Sequence, residues 1–90
     1  MPKIDPAVRA AWKGRPDKPV NIIVHVTGDL EKRSEALKSR GAEVRRRYRL
    51  TGALSLRCTG EEALKLARLS WVERIEPDRP IKALRGTGRG

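Results

Sequence analysis

The chain has 90 residues, of which 38% are hydrophobic and 3% are aromatic, so it can form one small domain with a modest core. Its formal net charge of +10 is typical of nucleic-acid-binding proteins, but the surplus is spread along the chain, with one dense cluster in residues 43–49. No apolar run is long enough to span a bilayer, and a single cysteine, Cys58, excludes an internal disulfide and lacks the paired spacing of zinc ligands.

Residues 1–19 are predicted to form an N-terminal extension that contains one short helix. Four prolines interrupt this segment, but Asp5 followed by Pro6 favours a helix start, because aspartate caps the first turn and proline suits the first helical position. We expect this helix to end near Trp12. That tryptophan is interpreted as an aromatic side chain that packs onto the domain, in preference to a ligand-binding role.

The main domain, residues 20–80, begins with the segment that is the clearest strand in the chain. Residues 20–27 read VNIIVHVT, and their β-branched alternation predicts a central strand. Asp29 then has the position of an N-cap for an amphipathic helix, which Gly41 would end. Residues 43–58 contain two alternating stretches separated by a turn, and they predict a β-hairpin.

A second helix and a final strand complete the predicted order β-α-β-β-α-β. Thr59 and Glu62 have the spacing of a capping box, in which each side chain bonds to the backbone of the other residue. The last strand is expected to begin at Trp71 and to stop where Pro77 and Pro80 remove backbone donors. This order predicts an α+β, ferredoxin-like βαββαβ fold: a four-stranded antiparallel sheet with two helices on one face.

The other face of the predicted sheet has no helix to cover it. From the alternation of each strand, we expect this face to carry Ile23, His25, Ala53 and Ser55 together with a row formed by Arg45, Arg47 and Arg49. A half-apolar, half-basic exposed face is typical of a binding surface. His25 is interpreted as a sheet-surface residue, since no nucleophile or metal ligand stands at a suitable spacing from it.

The sequence offers no recognisable catalytic or cofactor-binding motif. It has one histidine, no Gly-x-Ser-x-Gly turn and no glycine-rich phosphate loop, so we expect neither enzymatic activity nor a cofactor or metal. Nucleic-acid binding through the Arg-rich hairpin is the alternative function, because Arg45, Arg46, Arg47 and Arg49 could hold a phosphate backbone. Against it, neither central strand has the aromatic residues on which bases stack. The same arginines would also keep a solvated edge strand from aggregating.

Residues 81–90 are predicted to form a C-terminal tail. The tetrapeptide Ile81, Lys82, Ala83 and Leu84 follows two prolines, which favour an extended path away from the sheet, as a β-pairing groove would accept it. A short edge strand that folds back is the alternative. The remaining six residues, RGTGRG, are expected to be flexible.

From residue 20 to residue 84 the chain resembles the propeptide domains of subtilisin-like serine proteases and the related free-standing inhibitors of those proteases. The resemblance covers most of the chain. It rests on the strand VNIIVHV, on the block GAEVRRRYRLTGALSLRCTGEEALKLARLSWVERIEPD with Tyr48, Ala53 and Ser55 in it, and on the V-x-x-I-E-x-D run of Val72, Ile75, Glu76 and Asp78.

The resemblance implies that the helix-free sheet face packs on two parallel surface helices of the protease, while the tail lies in the active-site cleft as a product would. Leu84 would then fill the primary specificity pocket, Ile81 the apolar pocket three residues further back, and Lys82 and Ala83 would pair through their backbones. Contacts with the protease surface are implied for Ile23, Thr51, Gly52, Ala53, Ser55, Glu76 and Asp78. Inhibition of the protease, and assistance to its folding as a chaperone, are the functions implied, with no small-molecule cofactor and no membrane as partners.

The chain departs from the pattern of this family in two places. Several relatives have an acidic residue in the hairpin turn that caps the protease helices, whereas this chain has Gly52 there. Residues 85–90 follow Leu84, so a product carboxylate forms only if the bond between Leu84 and Arg85 is cut. No signal peptide follows Met1, and we expect a cytoplasmic location if the chain is complete and secretion if it is an excised propeptide.

Overall fold

A computed structural model describes residues 3–78 of the chain. Its elements are α1 (Pro6–Gly14), β1 (Pro19–Val26), α2 (Leu30–Ser39), β2 (Glu43–Tyr48), β3 (Ala53–Thr59), α3 (Gly60–Leu66) and β4 (Val72–Pro77). The four strands form one antiparallel sheet in the order β2-β3-β1-β4. The predicted α+β fold with a four-stranded antiparallel sheet is confirmed, and α1 is present in addition to the two helices of the main domain.

Each helix begins at a side chain that accepts hydrogen bonds from the free N–H groups of its first turn. The N-caps are Asp5, Asp29 and Thr59, as the sequence predicts. The hydroxyl of Thr59 accepts a hydrogen bond from the backbone N–H of Glu62 at 3.2 Å. The predicted return bond from the Glu62 side chain is replaced by an ion pair, because its carboxylate lies 2.8 Å from Nε of Arg40. Glu62 therefore links α3 to the end of α2.

One hydrophobic core lies between the sheet and the two helices of the main domain. β1 and β3 contribute Ile22, Val24, Leu54 and Leu56, all fully buried. Leu37 of α2 and Ala63 and Leu66 of α3 belong to the same cluster. Because both helices pack on strand residues whose side chains point to one face of the sheet, α2 and α3 lie on the same side of it.

The N-terminal segment takes part in this core. Ile4 and Trp12 are buried within the same cluster, so the tryptophan packs onto the domain, as predicted. An added Cβ at Gly60 would lie 3.3 Å from Cβ of Trp12, which shows how closely α1 approaches the start of α3. The backbone N–H of Ile75 donates to the carbonyl of Lys3 at 2.8 Å, so the segment before α1 also pairs with the outer edge of β4.

A β-bulge at Arg45 changes which residues of β2 share a face. Val44 is paired with Leu56, but the next pair joins Arg46 to Ser55, so Arg45 is an extra residue in β2. From that point the alternation of β2 is reversed relative to an unbroken strand. Arg46 therefore lies on the same face as Ser55, on the side away from the helices.

The predicted row of Arg45, Arg47 and Arg49 on the helix-free face is consequently wrong. Arg47 lies on the helix side, where its guanidinium is 3.1 Å from the carboxylate of Glu31 in α2. Arg49 is 3.7 Å from the second oxygen of that carboxylate. Tyr48, which the unbroken alternation places on the helix side, is paired with Ala53 and lies on the helix-free face.

Ser34 is a polar residue that the core holds without a partner. It is 0% exposed, and its hydroxyl has no hydrogen-bond partner within residues 3–78. A hydroxyl that is buried without a hydrogen-bond partner has lost its bonds to water, which lowers the stability of the folded chain. Serine is also a weaker helix former than alanine. We predict that Ser34→Ala raises the free energy of unfolding by about 1–2 kcal/mol, measured by urea denaturation.

Ser39 in the same helix provides the control, since its exposed hydroxyl donates to the carbonyl of Ala36 at 2.8 Å. Ser39→Ala is expected to change the stability by less than about 0.5 kcal/mol. A Ser34→Ala variant that is less stable than the original chain would contradict this account of the core.

Candidate functional site

The candidate site is the sheet face opposite α2 and α3, which we call the open face. Its residues follow from the register of the four strands. They are Asn21, Ile23 and His25 of β1, Glu43, Arg46 and Tyr48 of β2, Ala53, Ser55 and Arg57 of β3, and Arg74 and Glu76 of β4. Within residues 3–78, no helix packs on this face.

The centre of the open face is built from small side chains. Ala53 is 2% exposed and Ser55 is 6% exposed, and both lie in β3, which has strands on either side. Ile23, half-buried, is paired with Ser55 on one side and with Glu76 on the other. The small centre is therefore almost inaccessible to solvent, and the larger side chains of the face stand around it.

A charged cluster lies on the β1–β4 side of the open face. Nε2 of His25 is 2.7 Å from a carboxylate oxygen of Glu76, and Nη2 of Arg74 is 2.9 Å from the same oxygen. Arg74 also approaches Nε2 of His25 at 3.3 Å. The three side chains hold one another in place, and the carboxylate of Glu76 already has two partners before any other molecule binds.

Asp78 connects the end of β4 to the centre of the open face. Its carboxylate accepts a hydrogen bond from the hydroxyl of Ser55 at 3.1 Å. Its backbone N–H donates to the carbonyl of Asn21 at 2.8 Å, which continues the pairing of β4 with β1 past Pro77. Asp78 is therefore fixed on the open face.

The predicted site residues of the hairpin turn occupy its exposed end. Thr51 and the preceding Leu50 are exposed to solvent, and Leu50 has no shielding from the rest of the described chain. Gly52 has a φ of +66°, a conformation that side-chain-bearing residues rarely adopt. Its carbonyl accepts a hydrogen bond from the N–H of Val26 at 2.9 Å. A glycine at this position is thus required by the backbone of this turn, and an acidic residue would be strained there.

The structure brings most of the predicted surface residues together and adds others. Ile23, Ala53, Ser55, Glu76 and Asp78 lie on or beside the open face, whereas Thr51 and Gly52 lie at its hairpin end. Arg46 and Tyr48 join them only because of the bulge. The predicted tail residues Ile81, Lys82, Ala83 and Leu84 lie outside the described residues.

The bulge is visible as a difference in the number of residues between two pairs of β2 and β3. From Val44 to Tyr48 the chain advances four positions, but their partners Leu56 and Ala53 are only three apart. Once the apolar Val44 is assigned to the core and Tyr48 to the last pair before the turn, one residue of β2 is in excess.

Cys58 is not placed to react. It is buried on the helix side opposite Val20. Burial raises the pKa of its thiol from 9.0 to about 12, and the negative charge of Glu62 adds to the rise. Since the thiolate is the nucleophilic form, the Cys58 side chain is an apolar packing group at neutral pH.

The described residues contain neither a nucleophile–base pair nor a metal-ligand cluster at the open face. The hydroxyl of Ser55 donates to Asp78, and His25 is engaged by Glu76. Residues 3–78 hold no group of three or more His, Cys, Asp or Glu side chains that could bind a metal, and none of their helices has the length and apolar character to cross a membrane. No family model matches the chain, and no curated protein matches it.

Proposed function

We propose that this protein is a propeptide-like inhibitor of subtilisin-like serine proteases, which docks through the open face and occupies the protease cleft with residues 81–84. The observation that carries the proposal is a helix-free sheet face on which Asp78, six positions before Leu84, is held by hydrogen bonds to Ser55 and Asn21. The resemblance of residues 20–84 to such propeptides indicates the class of partner.

The form of the open face suits docking onto a protein surface made of helices. Ala53 and Ser55 are only 2% and 6% exposed, so a docked partner would meet the larger side chains that stand around them. Ile23 and Tyr48 stand on either side of this centre and offer apolar contact area. Aromatic and aliphatic anchors around a closely packed centre are common features of stable interfaces.

The position of Asp78 gives the tail a defined starting point. Leu84 lies six positions after Asp78, and an extended chain advances by at most about 3.3–3.6 Å per residue, so the tail can reach roughly 20 Å from the open face. Pro80 within this stretch favours an extended path. The segment is therefore long enough to carry Ile81 and Leu84 from a docking surface to a neighbouring cleft.

Two features of the face point to weaker binding than an acidic hairpin turn and free carboxylates would give. Gly52 lacks the side chain that would cap a partner helix, and Glu76 is shared between His25 and Arg74. Carboxylates at helix N-termini each contribute about 0.3–1 kcal/mol on exposed surfaces. The affinity of this chain for a protease should therefore depend more on the tail and the apolar contacts.

Nucleic-acid binding through the Arg-rich hairpin is less well supported than protease binding. The bulge places Arg46 on the open face and Arg47 on the helix side, so the arginines do not form one basic row. Glu31 lies within 4 Å of both Arg47 and Arg49. β1 and β3 also contain no aromatic residue for base stacking.

The proposal is tested by titrating a broad-specificity subtilisin with the full chain while hydrolysis of a peptide substrate is followed. We expect competitive inhibition that becomes complete near equimolar concentrations. A gel-shift titration with single-stranded DNA at rising salt is the companion experiment. Absence of inhibition together with DNA binding that weakens steeply with salt would replace the proposal with the nucleic-acid alternative.

A chaperone role would follow if docking assists a slow folding step of the protease. Serine proteases of this kind have many contacts between distant parts of the chain, and such topologies fold slowly. We predict that more active sites are recovered when a denatured subtilisin refolds in the presence of this chain, counted after the refolded protease has been separated from the inhibitor. Equal recovery with and without the chain would remove the chaperone role and leave inhibition in place.

A further inference from the structure

A basic groove lies between α1 and α3, on the helix side of the sheet and away from the open face. It has a volume of about 360 Å³ and is lined by Arg9, Lys13, Glu61, Leu64, Lys65, Ala67 and Arg68. Arg9 and Lys13 are one helical turn apart on α1, so they point the same way. Leu64 and Ala67, both half-buried, form an apolar strip between the charged walls.

Most of the positive charge in this groove has no partner among the described residues. Lys65 is paired with Glu61 at 3.2 Å, both on α3. Arg9, Lys13 and Arg68 take part in no ion pair within residues 3–78. Like charges held together on a concave surface repel one another and attract a ligand of opposite charge.

We propose that this groove binds an acidic peptide segment of a partner protein that also presents an apolar side chain. The carboxylates pair with Arg9, Lys13 and Arg68, while the apolar side chain packs on Leu64 and Ala67. The volume is at the lower end of the range of about 300–1,000 Å³ that ligand pockets occupy. It admits individual side chains of a peptide and not a folded domain.

The charge of this chain argues against its own segments as the occupant. Residues 79–90 contain Arg79, Lys82, Arg85 and Arg89 and no acidic residue, so the tail is repelled by the groove. A second copy would bring a net charge of +10. Nucleic acid suits the charge but not the apolar strip, and the groove offers no aromatic side chain for a base to stack on.

This inference does not rest on the protease proposal, since the groove and the open face lie on opposite sides of the sheet. The probe is a short fluorescein-labelled peptide of glutamate and leucine, and its binding to the full chain is followed by fluorescence anisotropy. We expect the double variant Arg9→Glu/Lys13→Glu to bind it at least about tenfold more weakly, because two attractive contacts become repulsive. The milder pair Arg9→Gln/Lys13→Gln tests the same point should the charge reversal disturb α1.

The matched control is Lys32→Glu/Arg45→Glu, which removes the same net charge at exposed positions outside the groove. It should change the affinity by less than about threefold, since distant surface charges are screened by salt. Replacing the leucines of the probe with glycine should weaken its binding several-fold, since the apolar strip then has nothing to bury.

Equal affinity of the groove variant and the original chain for the probe would overturn the proposal, as would an equal loss in the control variant. Single-stranded DNA of the same charge is the competing ligand. If it binds the groove more tightly than the acidic peptide, and the groove variant loses that binding, the site belongs to a nucleic acid and the acidic-peptide assignment is wrong.

Discussion

Replacing Ile81 and Leu84 together with aspartate is expected to weaken inhibition of a broad-specificity subtilisin by at least about 100-fold. If these side chains fill apolar pockets of the protease, each new carboxylate must lose its water there without gaining a partner. The core cluster is built from residues of the described range 3–78, and the tail is predicted to lead away from the sheet, so the circular dichroism spectrum and the thermal unfolding midpoint should be unchanged. The inhibition constant is obtained from steady-state rates at several substrate concentrations.

A control with the same added charge separates pocket contacts from general repulsion. Gly86→Asp/Gly88→Asp introduces two carboxylates just beyond the segment that is proposed to bind, and it should retain inhibition within about threefold. If the Ile81 and Leu84 double variant inhibits as well as the original chain, the tail does not occupy the specificity pockets and its assignment is wrong.

Ile23→Lys should weaken inhibition by about tenfold to 100-fold while the chain stays folded. Ile23 lies on the open face between Ser55 and Glu76 and outside the core cluster. In the free chain a lysine there can extend its ammonium group into water. In a complex that group is buried at the interface, which costs roughly 2 kcal/mol or more when it has no partner.

Ser39→Lys is the matched control for this variant, since it adds the same charge at an exposed position of α2 on the helix side. Its inhibition constant should stay within about twofold of the original value. Ile23→Lys binding to the protease as tightly as the original chain would mean that the open face is not the docking surface, whatever the tail does.

The sequence predicts the elements well where one local rule dominates. Asp5, Asp29 and Thr59 each have an oxygen that accepts from the first free N–H groups of a helix, and all three are N-caps in the structure. The alternation of β1 assigns Ile22 and Val24 to the core, where they are fully buried. These rules depend on neighbours in the sequence, so they can be applied without knowing the fold.

The errors arise where the outcome depends on contacts between distant parts of the chain. Nothing in residues 43–50 by itself marks Arg45 as a bulge, because the excess residue is defined only by the pairing of β2 with β3. The side chain of Glu62 likewise binds Arg40 in another helix instead of completing its own capping box. Local spacing identifies an available partner but cannot exclude a better one elsewhere.

In the candidate site as well, local rules predict some features and contacts between distant residues determine the others. Alternation places Ile23, Ala53 and Ser55 on the helix-free face, and the register agrees. The hydrogen bond from Ser55 to Asp78 and the contact of His25 with Glu76 join residues 23 and 51 positions apart. Such pairs become visible only when the strand order is known.

The most direct test of the account is a progress curve of a broad-specificity subtilisin with increasing amounts of the full chain, followed by mass spectrometry of what remains. We expect tight inhibition and a surviving product that ends at Leu84, which would place the bond to Arg85 at the catalytic centre. Rapid digestion of the chain without inhibition would contradict the proposed function and leave the open face without its assigned partner.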